Sequence, residues 1–405
     1  MTIRQRRLGE FGEFRNGLNY SSANFGRGLK VISVKDFGDR WRPDLSILDE
    51  INPSGLRVEQ SDLRAGDILF VRSNGNKELV GRSMLIEDDL DDVSFSGFCI
   101  RFRPTATSLN SKFLSSYFRT PLFRRTLSLQ GKGTNINNLN QAILERMVVP
   151  CPSKAVQERI VDIVGSYDDL IENNRRRIAL LEQAARLLYR EWFVRFRFPG
   201  HEHAKIIDGI PEGWERRTLG EVADVRLGKM LDEKKNRGEL RPYLANVNVR
   251  WGRFEVDSLR KMRFEPHEVK KYGLMPGDIV MCEGGEPGRC AIWKDQVPGM
   301  MLQKALHRIR AHEGLDQRFL YHCLSFMAKS GRLAGLFTGT TIKHLPREKL
   351  ITVAVVAPPK RLVLKFAEQA APMEAQIGTL EAASRRAAEA RDLLLPRLMN
   401  GEIAV

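Results

Sequence analysis

The sequence predicts an α/β chain, mixed α+β, built as two similar domains separated by an antiparallel coiled-coil pair of long helices, with a pseudo-two-fold internal repeat. Three observations predict it. A set of motifs occurs twice in the same order, about half the chain apart. Within each copy, short apolar runs bounded by Gly and Pro alternate with stretches of helical spacing. Each copy then closes on a long run whose apolar residues lie alternately four and three apart. With 405 residues, 42% of them hydrophobic, the chain can fill two cores of the usual domain size.

In chain order, LGEFGEFRNG at 8–17 answers to LGEVADVRLG at 219–228, and LRAGDILF at 63–70 to LMPGDIVM at 274–281. GRSMLI at 81–86 answers to GRCAIW at 288–293, and KFLSSYF at 112–118 to RFLYHCL at 318–324. In GKGTNINNLN at 131–140, Gly133, Thr134, Ile136 and Leu139 are matched by Gly339, Thr340, Ile342 and Leu345 of FTGTTIKHLP. VVPCP at 148–152 answers to VVAPP at 355–359. The spacing changes only where a loop can absorb a deletion, and two copies are too few for a solenoid. GDILFV and GDIVMC each enter a Gly-rich turn, SNGNKELVG or EGGEPG, and then a second apolar run, which predicts a hairpin with a polar tip. NSKFLSSYFRTPLFRRTL and DQRFLYHCLSFMAKSGRL carry helical spacing.

From Ile160 a seam runs through Val164, Tyr167, Ile171, Asn174, Ile178, Leu181, Ala185, Leu188 and Trp192, with Asn174 as its polar position. The same frame in the second copy gives Phe366, Ala370, Met373, Ile377, Leu380, Ser384, Ala387, Arg391, Leu394 and Leu398, broken at Ser384 and Arg391. A helix over 160–192 would be roughly 50 Å long, more than one small domain covers. Packing of the two helices on each other satisfies the pattern; so does docking of each on its own domain. Pro396 should kink or end the second helix. The boundaries read as a first domain over 1–152, a central helical region over 153–200, a second domain over 201–359 and a distal helical region over 360–405.

Lys and Arg outnumber Asp and Glu by 65 to 50, a formal charge of +15, which favours a polyanionic partner, nucleic acid foremost. Five cysteines without a C-x-x-C pair fit neither a zinc ribbon nor a disulfide framework and suit a reducing cytosol. The start lacks an apolar leader, and no apolar run approaches the length of a membrane span, so a cytoplasmic protein that is neither exported nor membrane-bound is expected.

Catalytic signatures are missing: there is no P-loop and no dinucleotide fingerprint. EGGEPG carries two carboxylates that would repel phosphate. His201 and His203 read as a linker rather than a metal site. Glu233 and Lys235 form an isolated E-x-K read as a charged loop. The hairpin tips offer recognition instead: Arg72, Ser73, Asn74, Asn76, Lys77 and Arg82 on the first, Glu283, Glu286 and Arg289 on the second. Arg suits guanine, Asn adenine and Glu the cytosine amino group. The tips differ most where their flanking strands agree best, as expected of two like domains reading different sequences. Asn135, Asn137 and Asn138, and their counterparts Thr341, Lys343 and His344, add polar groups, although this motif also reads as a cap or turn.

The ordered set closely resembles the specificity (S) subunit of type I restriction-modification enzymes. The resemblance spans nearly the whole chain and rests on the paired GDIL/GDIV hairpins with trailing Gly-Arg and the paired G-T-x-I-x-x-L. It rests also on the exit PCPSKAVQERI, the helix end LLYREWFVRFRFPGHE and the terminal LLLPRLMNGEI. It implies two target-recognition domains, each reading half of a bipartite asymmetric site in double-stranded DNA, with the helices fixing the gap. It further implies docking of two methyltransferase subunits against those helices, and of restriction subunits on that core, with Ile160, Val164, Tyr167, Ile171, Asn174, Ile178, Leu181, Leu188, Trp192, Phe366, Met373, Ile377, Leu380, Leu394 and Leu398 as the positions of helix pairing and subunit docking. S-adenosylmethionine, ATP and Mg would belong to those partners, and this chain would bind no cofactor or metal and hold no catalytic residue. The second exit departs from the pattern, with Arg361, Leu362 and Val363 near where the first has Gln157 and Glu158. A self-contained nuclease or methyltransferase, and a DNA-binding scaffold without modification partners, are the competing readings.

Overall fold

The structure, a computed structural model, describes residues 4–38, 40–75, 79–130, 138–232 and 236–405. In it the repeated motifs become repeated topology. The first copy has a four-stranded antiparallel sheet in the order Gly12–Asn16, Cys99–Pro104, Ile68–Val71, Ser83–Leu85. The second repeats it as Ala223–Leu227, Leu306–Ala311, Ile279–Cys282, Cys290–Ile292. A three-stranded sheet follows the same rule twice. Phe25–Ile32 pairs antiparallel with Asp49–Ile51 and parallel with Val93–Phe95, as Glu239–Leu244 does with Arg260–Phe264 and Met301–Leu302. Each copy is closed by a strand near its start paired with its last strand, Arg4–Arg7 with Val148–Cys151 and Glu215–Thr218 with Ala354–Ala357.

The motifs now have physical reasons. Gly66 and Gly277 turn the chain with φ of +94° and +92°, where a side chain would be strained. The next residue, Asp67 or Asp278, is buried and accepts a two-point ion pair from the neighbouring strand. Arg103 reaches Asp67 at 2.8 and 2.7 Å, and Arg310 reaches Asp278 at 2.6 and 2.7 Å. The same carboxylates cap the turn by accepting the N–H of Arg64 and Met275, both at 2.8 Å. The following Ile68 and Ile279 enter the cores.

The helical stretch of the first copy is two helices, Ser111–Phe118 and Pro121–Gln130, because Pro121 can start a helix but not continue one. Its counterpart, Gln317–Lys329, has no proline and stays whole. Both stretches begin at equivalent caps, Asn110 and Asp316, whose side chains accept backbone N–H groups.

Two long helices, Lys154–Tyr189 and Lys360–Met399, run on from the two copies. The first ends in a π turn at Arg190–Val194. The second passes through Pro396 and ends three residues later, so this proline neither breaks nor terminates it directly. It lies in the last turn, where a kink displaces only the three helical residues that follow. Pro372 also lies in this helix, on its exposed face.

The chain forms two compact units, residues 1–175 with 381–405, and residues 176–380. Both long helices contribute to each. In the first unit, Ile160 and Val164 share a core with Leu395, Leu398, Met399, Phe113 and Phe102. In the second, Tyr189 and Phe193 share one with Val363, Phe366, Ala370 and Phe319. The helix segments are antiparallel within each unit: in the first, Asp168 meets Arg391 while Ile160 lies with Leu398, and in the second, Phe193 meets Phe366 while Glu182 and Ala185 lie beside Met373 and Ile377.

The seam drifts from the heptad frame. Asp168, Tyr189 and Phe193 are buried, whereas Tyr167, Leu188 and Trp192 are only partly so. Asp168 is drawn in by its ion pairs with Arg119 and Arg391, whereas over the four heptads from Ile160 to Leu188 a straight helix drifts by about 20° per heptad, roughly 80° in all, close to the ~100° between neighbouring residues. Leu394 likewise yields the buried position to Leu395. Ile171, Ile178, Leu181 and Met373 are partly buried, and Ile377 and Leu380 are buried.

Candidate nucleic-acid interface

The hairpin tips and the G-T-x-I-x-x-L stretches come together in each copy. Leu139 N–H donates to the Arg72 carbonyl at 2.7 Å, and Leu345 N–H donates to the Glu283 carbonyl at 2.7 Å. Ser73 is bridged to Asn138, and Gly284 to His344. Leu139 and Leu345 are fully buried and anchor the stretch, leaving the polar residue before each beside the tip. Gly339, at φ +86°, has no room for a side chain, since a Cβ would lie 2.3 Å from the Ile342 carbonyl oxygen. Asn76, Lys77, Asn135 and Asn137 lie outside the described residues, as do Gly133, Thr134, Ile136, Glu233 and Lys235.

The trailing Gly-Arg pairs do the same work in both copies. Gly81 and Gly288 take φ of +79° and +92° against Leu127 and Ala328, which brings the hairpin onto the helix behind it. Arg82 donates to the Gly38 carbonyl at 2.6 Å, and Arg289 to the Asn246 carbonyl at 3.0 Å. These arginines brace the hairpin in both copies.

What differs lies further out. On the first tip, Arg72, Ser73 and Asn74 are partly exposed, and Asn138 is exposed. On the second, Glu286 accepts from Trp251 Nε1 at 2.8 Å and pairs with Arg289 at 2.6 Å, while His344 Nδ1 lies 3.1 Å from Glu283. Thr341 and Lys343 stand exposed beside them. The first tip presents amide, hydroxyl and cation; the second presents carboxylates held by their neighbours. Trp251, in the run VRWGRF, escapes sequence reasoning because nothing in its spacing ties it to a tip 35 residues away.

On the helices, Asp168 is the feature the heptad frame hides. Its carboxylate accepts from Arg119 at 2.8 and 3.0 Å and from Arg391 at 2.7 Å. Burial alone would raise its pKa, but the two guanidiniums outweigh it and hold the group below the usual carboxylate range. Arg391, read from sequence as a break in the seam, is one of those partners. Asn174 is buried with no partner for Nδ2 among the described residues, a cost consistent with a polar seam position. The exits differ physically as well. Gln157 is fully buried, donating to the Ser108 and Pro152 carbonyls at 3.0 and 2.9 Å and accepting from Asn110 N–H at 2.8 Å. In the second copy the buried Val363 packs its helix start by apolar contact instead.

As for metals, Glu265, His267 and Glu268 can each bring one ligand atom within 4.8 Å of the others. Glu268 is already committed, accepting from Lys229 Nζ at 2.6 Å and from its own helix cap at 2.9 Å. His201 and His203 are exposed on a single turn. Among the described residues, no helix is long and apolar enough to cross a membrane.

The type I restriction modification DNA specificity domain family matches residues 2–183 and 211–361. The chain is 24% identical over 311 residues to the type I restriction enzyme MjaIX specificity subunit of Methanocaldococcus jannaschii, covering 73% of this chain and 69% of the relative. It is 22% identical over 410 residues to the HindI specificity subunit of Haemophilus influenzae, covering 84% and 87%. Its fold is similar to the crystal structure of the type I restriction-modification S subunit from M. genitalium, with a TM-score of 0.52 at 14% identity, covering 98% of this chain and 96% of that one. The matched segments coincide with the two copies of one topology, and the chain belongs to the family of type I restriction-modification DNA specificity subunits.

Proposed function

We propose that each unit reads one half of a bipartite, asymmetric site in double-stranded DNA, and that the long helices fix the unread gap. In this reading Lys and Arg supply salt-dependent phosphate contacts, while the tips and the adjoining G-T stretches supply base readout. The helices dock two methyltransferase subunits, with restriction subunits joining that core. The chain itself is non-catalytic and binds no cofactor; S-adenosylmethionine, ATP and Mg belong to the partners.

One observation carries the reading. Two copies share sheet order, turn glycines, ion pairs and bracing arginines, yet present different polar groups at the same place. A duplicated scaffold with divergent tips is what two half-sites require. The test is to exchange residues 72–82 for the tip of another specificity subunit and to determine the methylated motif. The expected outcome is a change confined to one half-site. A change in the other half, or in both, would refute the assignment.

A further inference from the structure

Beside each hairpin tip the chain makes the same four-residue turn, 96–99 in the first copy and 303–306 in the second. Cys99 N–H donates to the Ser96 carbonyl at 2.8 Å, as Leu306 N–H does to Gln303 at 3.0 Å. Gly97 N–H donates to Leu18 at 2.7 Å, as Lys304 N–H does to Lys229 at 2.9 Å. The turn then ties to the tip, Arg72 N–H donating to the Phe98 carbonyl at 2.8 Å and Glu283 N–H to the Ala305 carbonyl at 2.9 Å. One backbone device is thus used twice with opposite contents, Phe98 in one copy and Ala305 in the other.

Phe98 is 63% exposed and belongs to neither sheet's core. A lone exposed phenylalanine would mean little on a mobile loop. This one sits on a tied backbone: its N–H donates to Ser96 Oγ at 3.3 Å, its carbonyl accepts from Arg72 N–H at 2.8 Å, and a Cβ on the preceding Gly97 would lie 2.2 Å from Asn19 Oδ1. The Arg72 guanidinium donates to the Gly97 carbonyl at 3.4 Å, which sets a cation at the base of the ring. An exposed apolar ring on a hydrogen-bonded turn, next to a phosphate-seeking cation, is the equipment for entering a base step.

We propose that Phe98 is a wedge that inserts between base pairs of the half-site read by the first unit, with Arg72 holding the adjacent phosphate, and that the second unit, with Ala305, leaves its half-site stacked. This rests on the proposed function, since it requires the tips to face DNA. It makes recognition asymmetric: one half-site is read partly through the ease of unstacking one step, a preference expected for flexible pyrimidine–purine steps.

The test uses the purified methyltransferase complex containing this chain, and duplexes of its methylated motif with 2-aminopurine at successive positions. Wild type should brighten the probe at one step of the first half-site in addition to any target adenine. F98A should abolish that brightening and weaken binding about ten-fold, as loss of one base–aromatic stack does. Its salt dependence should be unchanged because no counterion is involved, and F98W should retain both properties. R72A should instead make the salt dependence shallower. Unchanged binding by F98A, brightening that survives it, or a binding loss with a shallower salt slope would each overturn the wedge. Failure of wild type to prefer its motif over a scrambled duplex would instead overturn the functional reading on which it rests.

Discussion

Asp168 shows how a single side chain can hold a helix pair to a domain. It is 3% exposed and faces Arg119 of the first domain and Arg391 of the second long helix. Removing the charge leaves two guanidiniums without their carboxylate in a desolvated place, which costs about 3 to 5 kcal/mol for a broken buried pair. Asp168→Asn should therefore lower stability by about that amount at pH 7, measured by chemical denaturation. The pH dependence has a definite sign. The folded-state pKa is depressed, so the contribution is complete above the ordinary carboxylate value of about 4 and is lost as pH falls through the lower, folded value. The gap between wild type and Asp168→Asn should be constant from neutrality down to about pH 5 and should close only in stronger acid. A gap that widened on acidification would contradict the ion-pair assignment.

At the scale of elements, the sequence was most legible where a motif had to be the same twice. The GD turns, trailing Gly-Arg and closing Leu of the G-T stretch could be found by matching the halves, because each meets a backbone or packing demand that recurs: a positive φ at Gly66 and Gly277, a buried leucine at Leu139 and Leu345. What the match could not reveal was partnership across the chain. Asp67 with Arg103, Glu286 with Trp251 and Asp168 with Arg391 join residues 36, 35 and 223 positions apart, and no local spacing encodes them. The heptad frame found both helices but placed Leu188 and Trp192 one residue early, because it assumed 3.5 residues per turn, and it could not see the ion pairs that bury Asp168 in place of Tyr167. Of the residues expected to read DNA, Arg82 and Arg289 hydrogen-bond to backbone carbonyls of their own copy, while Arg72, Ser73, Asn74 and Asn138 lie together at one tip. The proposed ruler makes an element-scale prediction. Adding the same whole number of heptads to both long helices should lengthen the gap in the methylated motif and leave both half-sites intact. An altered half-site would place base readout on the helices.

For the whole molecule, duplication accounts for both what is shared and what is not. One domain, copied, supplies two sheets in the same order, two closing strand pairs and two long helices, and each compact unit is completed by a segment of the other copy's helix. Neither copy's core is filled by its own strands and helices alone. In the proposed reading, the net charge of +15 adds an attraction to DNA that is indifferent to sequence, and discrimination falls to the tips. The central claim is that the two halves specify one split site. The direct measurement is single-molecule sequencing of N6-methyladenine in a methylation-free host expressing this chain with the methyltransferase subunit of its own system. A split asymmetric motif with a constant gap, methylated on both strands and absent without this chain, is the predicted result. Methylation at a continuous or palindromic motif, or an unchanged pattern when this chain is omitted, would contradict it.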